Sequence, residues 1–384
     1  MRRVITILTA IVLVVASLAV GSLTADLPFW RRAFDLPLSS SENYRPTLEI
    51  GPAPSGAAVA IDPALNTIEP AALVDAARAA RGAGAGALLV ARRGDLQSED
   101  YFQGGENWGA LRPADFLARP LASIAVGLVL ADGRVKSLDE RIEKYLPEWD
   151  GEPRGRITLR QLLTETSGLA QGADAAAVLG SHPFANWSRL PDFATSRGVR
   201  LLLGNDFEST ALGFELDHEP GGFFNVSPVN AQLAAVIVER VSGLPYEEFL
   251  QERLLAPAFM FHMQLQMDRR SGMPAAHCCL RAVSRTLLKM GELLRNDGAS
   301  RDGKRVLPAG WVQEMLKGSR ANPEFGLQIE RTTVDELEVW HLGAERGGAI
   351  WIVPGRALTV VALADRDVKL DQTPLKRLLL ALRK

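Results

Sequence analysis

The chain has little cysteine, no excess of either charge and no repeated segment, and each scarcity closes off a class of protein. Its two cysteines, Cys278 and Cys279, are adjacent. Neighbouring cysteines bridge only with strain, so an ordinary disulfide framework is excluded, and a pair of small buried residues is expected. Forty-three basic residues stand against 45 acidic ones, a net charge of -2, which leaves no electrostatic footprint for nucleic acid. Five histidines, His182, His218, His262, His277 and His341, show no metal-ligand spacing, so neither metal nor other cofactor is expected. No Gly-x-Ser-x-Gly occurs, which removes the nucleophile elbow of α/β-hydrolases.

What is present is ordinary globular material, 47% apolar and 23% charged over 384 residues, enough for a large core. The N-terminus differs from the rest. Arg2 and Arg3 precede an uncharged, apolar run from Val4 to Ala25, and about 20 such residues span a bilayer. The expectation is an N-terminal anchor over residues 1–25 in the inner membrane, with the body in the periplasm. A cleaved signal peptide and a secreted periplasmic form is the alternative; the run is longer than a usual signal core, which favours the anchor. Residues 26–62, rich in Pro and Ser, read as a linker, and residues 63–384 as the folded domain.

Along that domain, "PAALVDAARAAR" from Pro70 predicts a helix with proline in its first turn. "GALLVARRGDLQSEDYFQGG" predicts a hairpin turning at Arg93-Gly94-Asp95. "RPLASIAVGLVLADG" is a buried apolar helix. Ser137…Glu140 and Thr158…Gln161 fit capping boxes and predict two helix starts. "NAQLAAVIVERVSG", "PYEEFLQERLLAP" and "VSRTLLKMGELLRNDG" predict three further helices, "AIWIVPGRALTVVALAD" two strands, and "TPLKRLLLALR" a closing helix. Strand material at both ends with helices between predicts an α+β fold. One antiparallel sheet is built from both ends of the chain, flanked by terminal helices, with an inserted helical lobe. The groove between lobe and sheet is the expected ligand site.

Those segments, with "ITLRQLLTETSGL" and "LPAGWV", resemble in order and spacing the serine β-lactamase-like family: class C β-lactamases, DD-peptidases, esterases and 6-aminohexanoate-dimer hydrolases, the last being the nearest likeness. The resemblance implies the β-lactamase/DD-peptidase-like fold and three catalytic motifs. A Ser-x-x-Lys begins the central helix, where the i, i+3 spacing sets an amine beside the nucleophilic hydroxyl. A Tyr-x-Asn or Tyr-x-Ser loop supplies a phenol and an amide or hydroxyl, and a Lys/His-x-Gly lines the opposite wall on a strand.

Carried over residue by residue, the first motif falls on Phe116 and Arg119. A benzyl group cannot attack a carbonyl, and arginine stays protonated, so it cannot act as the base. No lysine in the chain has a serine three residues before it. The second motif falls on Val226-Ser227-Pro228, without phenol or amide. The third survives as His341-Leu342-Gly343, with Gly347 four residues on and Arg346 as a second candidate. The resemblance therefore implies an exported homologue that has lost acyl-enzyme catalysis. Such a pseudoenzyme would bind a small peptide-like or anionic ligand through Arg119, His341, Gly343 and Arg346. The alternative is an active amide or ester hydrolase with Ser123 or Ser227 as replacement nucleophile.

Overall fold

A computed structural model describes residues 26–35, 45–54, 61–102, 108–171, 190–343, 347–364, 368 and 370–382. Two antiparallel sheets carry the fold. The strands are β1 Thr47–Ile50, β2 Ala85–Arg92, β3 Asp95–Tyr101, β4 Leu111–Asp115, β5 Met263–Gln266, β6 Leu280–Val283, β7 Glu330–Val334, β8 Leu337–Gly343, β9 Gly348–Val353 and β10 Leu358–Ala364. The larger sheet runs β3-β2-β10-β9-β8-β7, so it joins the two ends of the domain as expected. β10 pairs along both β2 and β9, with Val360 opposite Val90 on one side and Trp351 on the other. A second sheet, β1-β5-β6-β4, was not anticipated.

Side chains alternate across the larger sheet, as the period of two requires. Leu89, Ile350 and Ile352 face the main core, whereas Leu88, Trp351 and Val353 face a second core beneath the terminal helices. The described helices that position the site are α1 Leu27–Asp35, α2 Pro70–Gly82, α3 Ala118–Ala131, α4 Leu159–Leu163, α5 Arg197–Leu203, α6 Phe207–Leu212, α7 Pro228–Ser242, α8 Tyr246–Leu250, α9 Ser284–Arg295 and α10 Thr373–Ala381. α2 and α10 cover the outer face of the large sheet. α3 lies in the main core and is buried along every residue from Pro120 to Val129.

Thr158 and Gln161 close the expected capping box at α4, both hydrogen bonds being made. The Ser137…Glu140 pair does not start an α-helix. Ser137 accepts from the Asp139 N–H and Glu140 from that of Lys136, and two 3₁₀ turns, Ile142–Lys144 and Pro147–Trp149, follow. Pro147 lacks the N–H that a continuing helix would need there.

Two expectations change at the N-terminal side. Among the described residues no helix is long and apolar enough to cross a membrane. The expected inner-membrane localisation with a single span is corrected accordingly; the run Val4–Ala25 itself lies outside the described residues. The stretch read as a linker carries α1 and β1. Phe29 and Ala33 of α1 form a small core with Phe193, Val199 and Leu203. The buried Arg32 guanidinium donates to the carbonyls of Leu203, Gly204 and Asp268. β1 pairs with β5 over its whole length. Proline and serine content suggested a spacer, but one arginine and one phenylalanine dock it.

Candidate functional site

β4 ends at Asp115 and passes directly into α3, so the first turn of α3 is held beside β6 and the loop that precedes it. Phe116 and Arg119 stand here. The Phe116 ring packs against the main core, and the Arg119 guanidinium lies over it, 4.6 Å from the ring centroid. Arg119 Nε donates to the His277 carbonyl at 3.0 Å. Its terminal nitrogens make no hydrogen bond among the described residues. Burial pushes the guanidinium below its ordinary pKa, and the charge of Glu165 opposes that shift.

Glu165 lies behind this pair, fully buried. Its Oε2 accepts from the Ser227 backbone N–H at 2.9 Å and from Asn230 Nδ2 at 2.5 Å, and its Oε1 from Gln328 Nε2 at 2.7 Å. Burial raises its pKa, whereas Arg119 and the three donors lower it. Glu165 and Gln328 both adopt left-handed backbone, with φ of 55° and 64°. Such conformations cost on the order of 1–3 kcal/mol each and persist where surrounding contacts impose them. The result is a caged carboxylate with a guanidinium opposite. Sequence reasoning missed Glu165, Asn230 and Gln328.

His277 completes the floor. Its Nδ1 meets Gln232 Oε1 at 2.8 Å, while its buried Nε2 has no hydrogen bond. Burial, Arg45 and Arg119 hold this imidazole well below its ordinary pKa, so it stays neutral. Cys278 and Cys279 follow it and are joined by a disulfide, S–S 2.05 Å, where only a pair of small buried residues was expected.

The other expected residues are not brought together. Ser123 is fully buried and its Oγ has no hydrogen bond. Ser227 is also fully buried, and its Oγ donates to the Ala170 carbonyl at 3.1 Å. Neither hydroxyl is poised for attack. Val226, where the resemblance set the tyrosine position, is 39% exposed, and its carbonyl accepts from Gln171. Pro228 opens α7 at its first position, where a missing N–H costs nothing.

His341 sits on the wrong face. It opposes Trp351 and Glu330 across the sheet, its ring stacks on Trp351 at 6.1 Å, and its Nδ1 meets Glu330 Oε2 at 3.1 Å. Trp351 belongs to the core under the terminal helices, whereas Trp340 and Leu342 on either side of His341 face the main core. The imidazole thus points away from Phe116 and Arg119. Gly343 is explained by packing: at φ +106°, an added Cβ would lie 2.2 Å from the Gly348 carbonyl oxygen. Gly347, at φ +85°, leaves room for the Asp115 carboxylate in the same way. Arg346 lies outside the described residues.

The Beta-lactamase family model matches residues 71–383, and the chain belongs to that family. Among solved structures, a protein named as a 6-aminohexanoate-dimer hydrolase from Bacillus anthracis is similar at TM-score 0.68 and 15% identity, covering 91% of this chain and 93% of its own. A D-stereospecific amidohydrolase from Streptomyces sp. is similar at TM-score 0.58 and 20% identity, with 81% and 98% covered. "Penicillin-binding protein 4*" of Bacillus subtilis is 26% identical over 193 residues, 48% of this chain and 39% of that protein. "Protein flp" of Staphylococcus aureus is 26% identical over 147 residues, 38% of this chain, and the match spans only about a quarter of that protein, 26%.

Proposed function

We propose that this chain is a non-catalytic member of the family whose former catalytic cleft binds an anionic ligand on Arg119. One observation carries the reading. Phe116 and Arg119, which the resemblance sets at the nucleophile and base positions, are engaged with each other, the ring under the guanidinium at 4.6 Å, and neither side chain can perform that chemistry. The burial of both remaining hydroxyls, Ser123 and Ser227, supports the same reading against a replacement nucleophile. The terminal nitrogens of Arg119, oriented by the ring and by the His277 carbonyl, suit a carboxylate, which they could meet through two parallel hydrogen bonds. That several neighbours are named as hydrolases speaks for the scaffold's history, because fold does not carry activity.

The test is covalent labelling of the full chain with a fluorescent penicillin and a fluorophosphonate. No labelling is expected. Labelling that disappears in Ser123→Ala or Ser227→Ala would overturn the reading. In parallel, an N-acetylated dipeptide with a free carboxylate is expected to bind more tightly than its C-terminal amide, and Arg119→Gln is expected to abolish the preference.

A further inference from the structure

A second cleft lies elsewhere on the molecule and shares no residue with the site above. It has a volume of about 670 Å³ and runs along α9 between the β2–β3 turn and the segment 299–302. That size is within the roughly 300–1,000 Å³ typical of small-molecule sites. Its walls are chiefly apolar: Ala91, Leu96, Ala258, Leu288 and Leu293 line it, and the exposed Leu65 and Phe259 rim it. Gly94, with φ +88° and no side chain, keeps the turn end of the cleft open.

Both arginines of the cleft are paired with a carboxylate, and two of its four carboxylates with an arginine. Arg285 is paired with Glu99, Arg301 with Asp95, and Glu292 with Arg295. Asp62 accepts from the Ala64 N–H, and Asp302 from the Ser300 hydroxyl. Lys289 differs. Its ammonium lies over the Phe261 ring at 4.4 Å and donates to the Phe259 carbonyl, but no carboxylate pairs with it among the described residues. An ammonium has three donors, so donor capacity remains. Burial and the neighbouring Arg285 both push it below its ordinary pKa, and an anion in the cleft would relieve both effects.

We propose that this cleft is a binding site for a linear aliphatic carboxylate, with the head group on Lys289 and the chain along Ala91, Leu96, Ala258, Leu288 and Leu293. Apolar walls reward the chain at about 25 cal/mol per Å² of surface removed from water. The carboxylate replaces lost hydration by a charge-assisted hydrogen bond to a cation that no carboxylate pairs with among the described residues. The proposal goes beyond the reading of the Arg119 cleft and does not depend on it.

The experiment is calorimetric titration of the full chain with decanoate and, separately, with decanol. Saturable binding of one decanoate per chain is expected, with decanol markedly weaker. Lys289→Gln should weaken decanoate binding by about tenfold or more, the order expected for losing one charge-assisted hydrogen bond, and leave decanol unchanged. Leu65→Glu, a change at an exposed rim position that folding tolerates, should weaken decanoate more than decanol. No saturable binding, equal affinity for acid and alcohol, or full decanoate affinity in a folded Lys289→Gln variant would each overturn the proposal. Binding of the acetylated dipeptide should be unchanged by Lys289→Gln and decanoate binding unchanged by Arg119→Gln, so failure at one cleft is read separately from failure at the other.

Discussion

Two cations of this chain, Arg119 and Lys289, lie against aromatic rings in partly buried surroundings, and the protein treats them differently. Arg119 feels the charge of a caged carboxylate: Glu165 is fully buried, accepts from three hydrogen-bond donors, and offsets part of the cost of burying the guanidinium. Lys289 has a ring and one carbonyl, the charge of Arg285 pushes its pKa down, and no carboxylate pairs with it among the described residues. The first arrangement is built into the core, where a buried charge must be matched. The second stands in a cleft wall, where desolvation is partial and a mismatch is tolerated. One cation has a buried carboxylate in its surroundings as well as free terminal nitrogens, and the other has no carboxylate partner among the described residues.

The largest effect should come from removing the internal match. Glu165→Leu would strand the Ser227 N–H, the Asn230 and Gln328 amides and the Arg119 charge together. A loss of about 3–5 kcal/mol is expected, the range for breaking a buried charge from one side, read from urea unfolding. Glu165→Gln keeps an acceptor for two of those donors and should cost less. A Glu165→Leu variant of unchanged stability would show that the cage does not bear on folding, and that the two cations are more alike than their contacts suggest.

Arg119→Gln comes next, at about 1–3 kcal/mol for a buried hydrogen-bonded charge, and its pH dependence sharpens the comparison. The folded pKa of Glu165 is already raised by burial, and Arg119 is the charge holding it down. Removing Arg119 raises it further. A carboxyl whose folded pKa lies above its unfolded value is more protonated in the folded state. Stability is then retained below the unfolded value and lost as pH rises through the window up to the folded one. The penalty of Arg119→Gln should therefore be larger at pH 7 than at pH 4. Lys289→Gln should show no such pH dependence, since no carboxyl partner titrates against it. Equal penalties for Arg119→Gln at both pH values would mean that Glu165 and Arg119 are not coupled.

The strand and helix periods were legible, because each rests on local spacing. What decides the site was not. Glu165 sits in "LLTETSGL" between two threonines and reads as a polar turn. Its burial comes from Ser227, Asn230 and Gln328, 62 to 163 residues further along the chain. The His341-Leu342-Gly343 spacing suggested a binding strand, but the strand's own alternation sets its face. With Trp340 and Leu342 turned to the main core, His341 had to turn to the other side. α1 was misread for a similar reason, since its docking depends on partners about 170 residues away, with Arg32 reaching the Leu203 and Gly204 carbonyls.

The smallest effect belongs to Lys289, and its sign is the informative part. In the absence of ligand, Lys289→Met removes a partly desolvated ammonium whose pKa Arg285 pushes down and which has no carboxylate partner among the described residues. The methionine keeps most of the aliphatic stem that packs beside Phe261. The hydrogen bond to the Phe259 carbonyl is lost, but that residue is exposed and water can replace the donor. The two contributions nearly cancel, so a change within about 0.5 kcal/mol is expected, as for surface substitutions that break no network. The check is thermal unfolding of the two proteins with and without decanoate. Without it they should melt together; with it only the parent should gain, because a ligand stabilises by its affinity for the folded state alone. A loss above about 1 kcal/mol without ligand, the size of a lost structural contact, would mean that Lys289 is structural after all and that the contrast with Arg119 is one of degree.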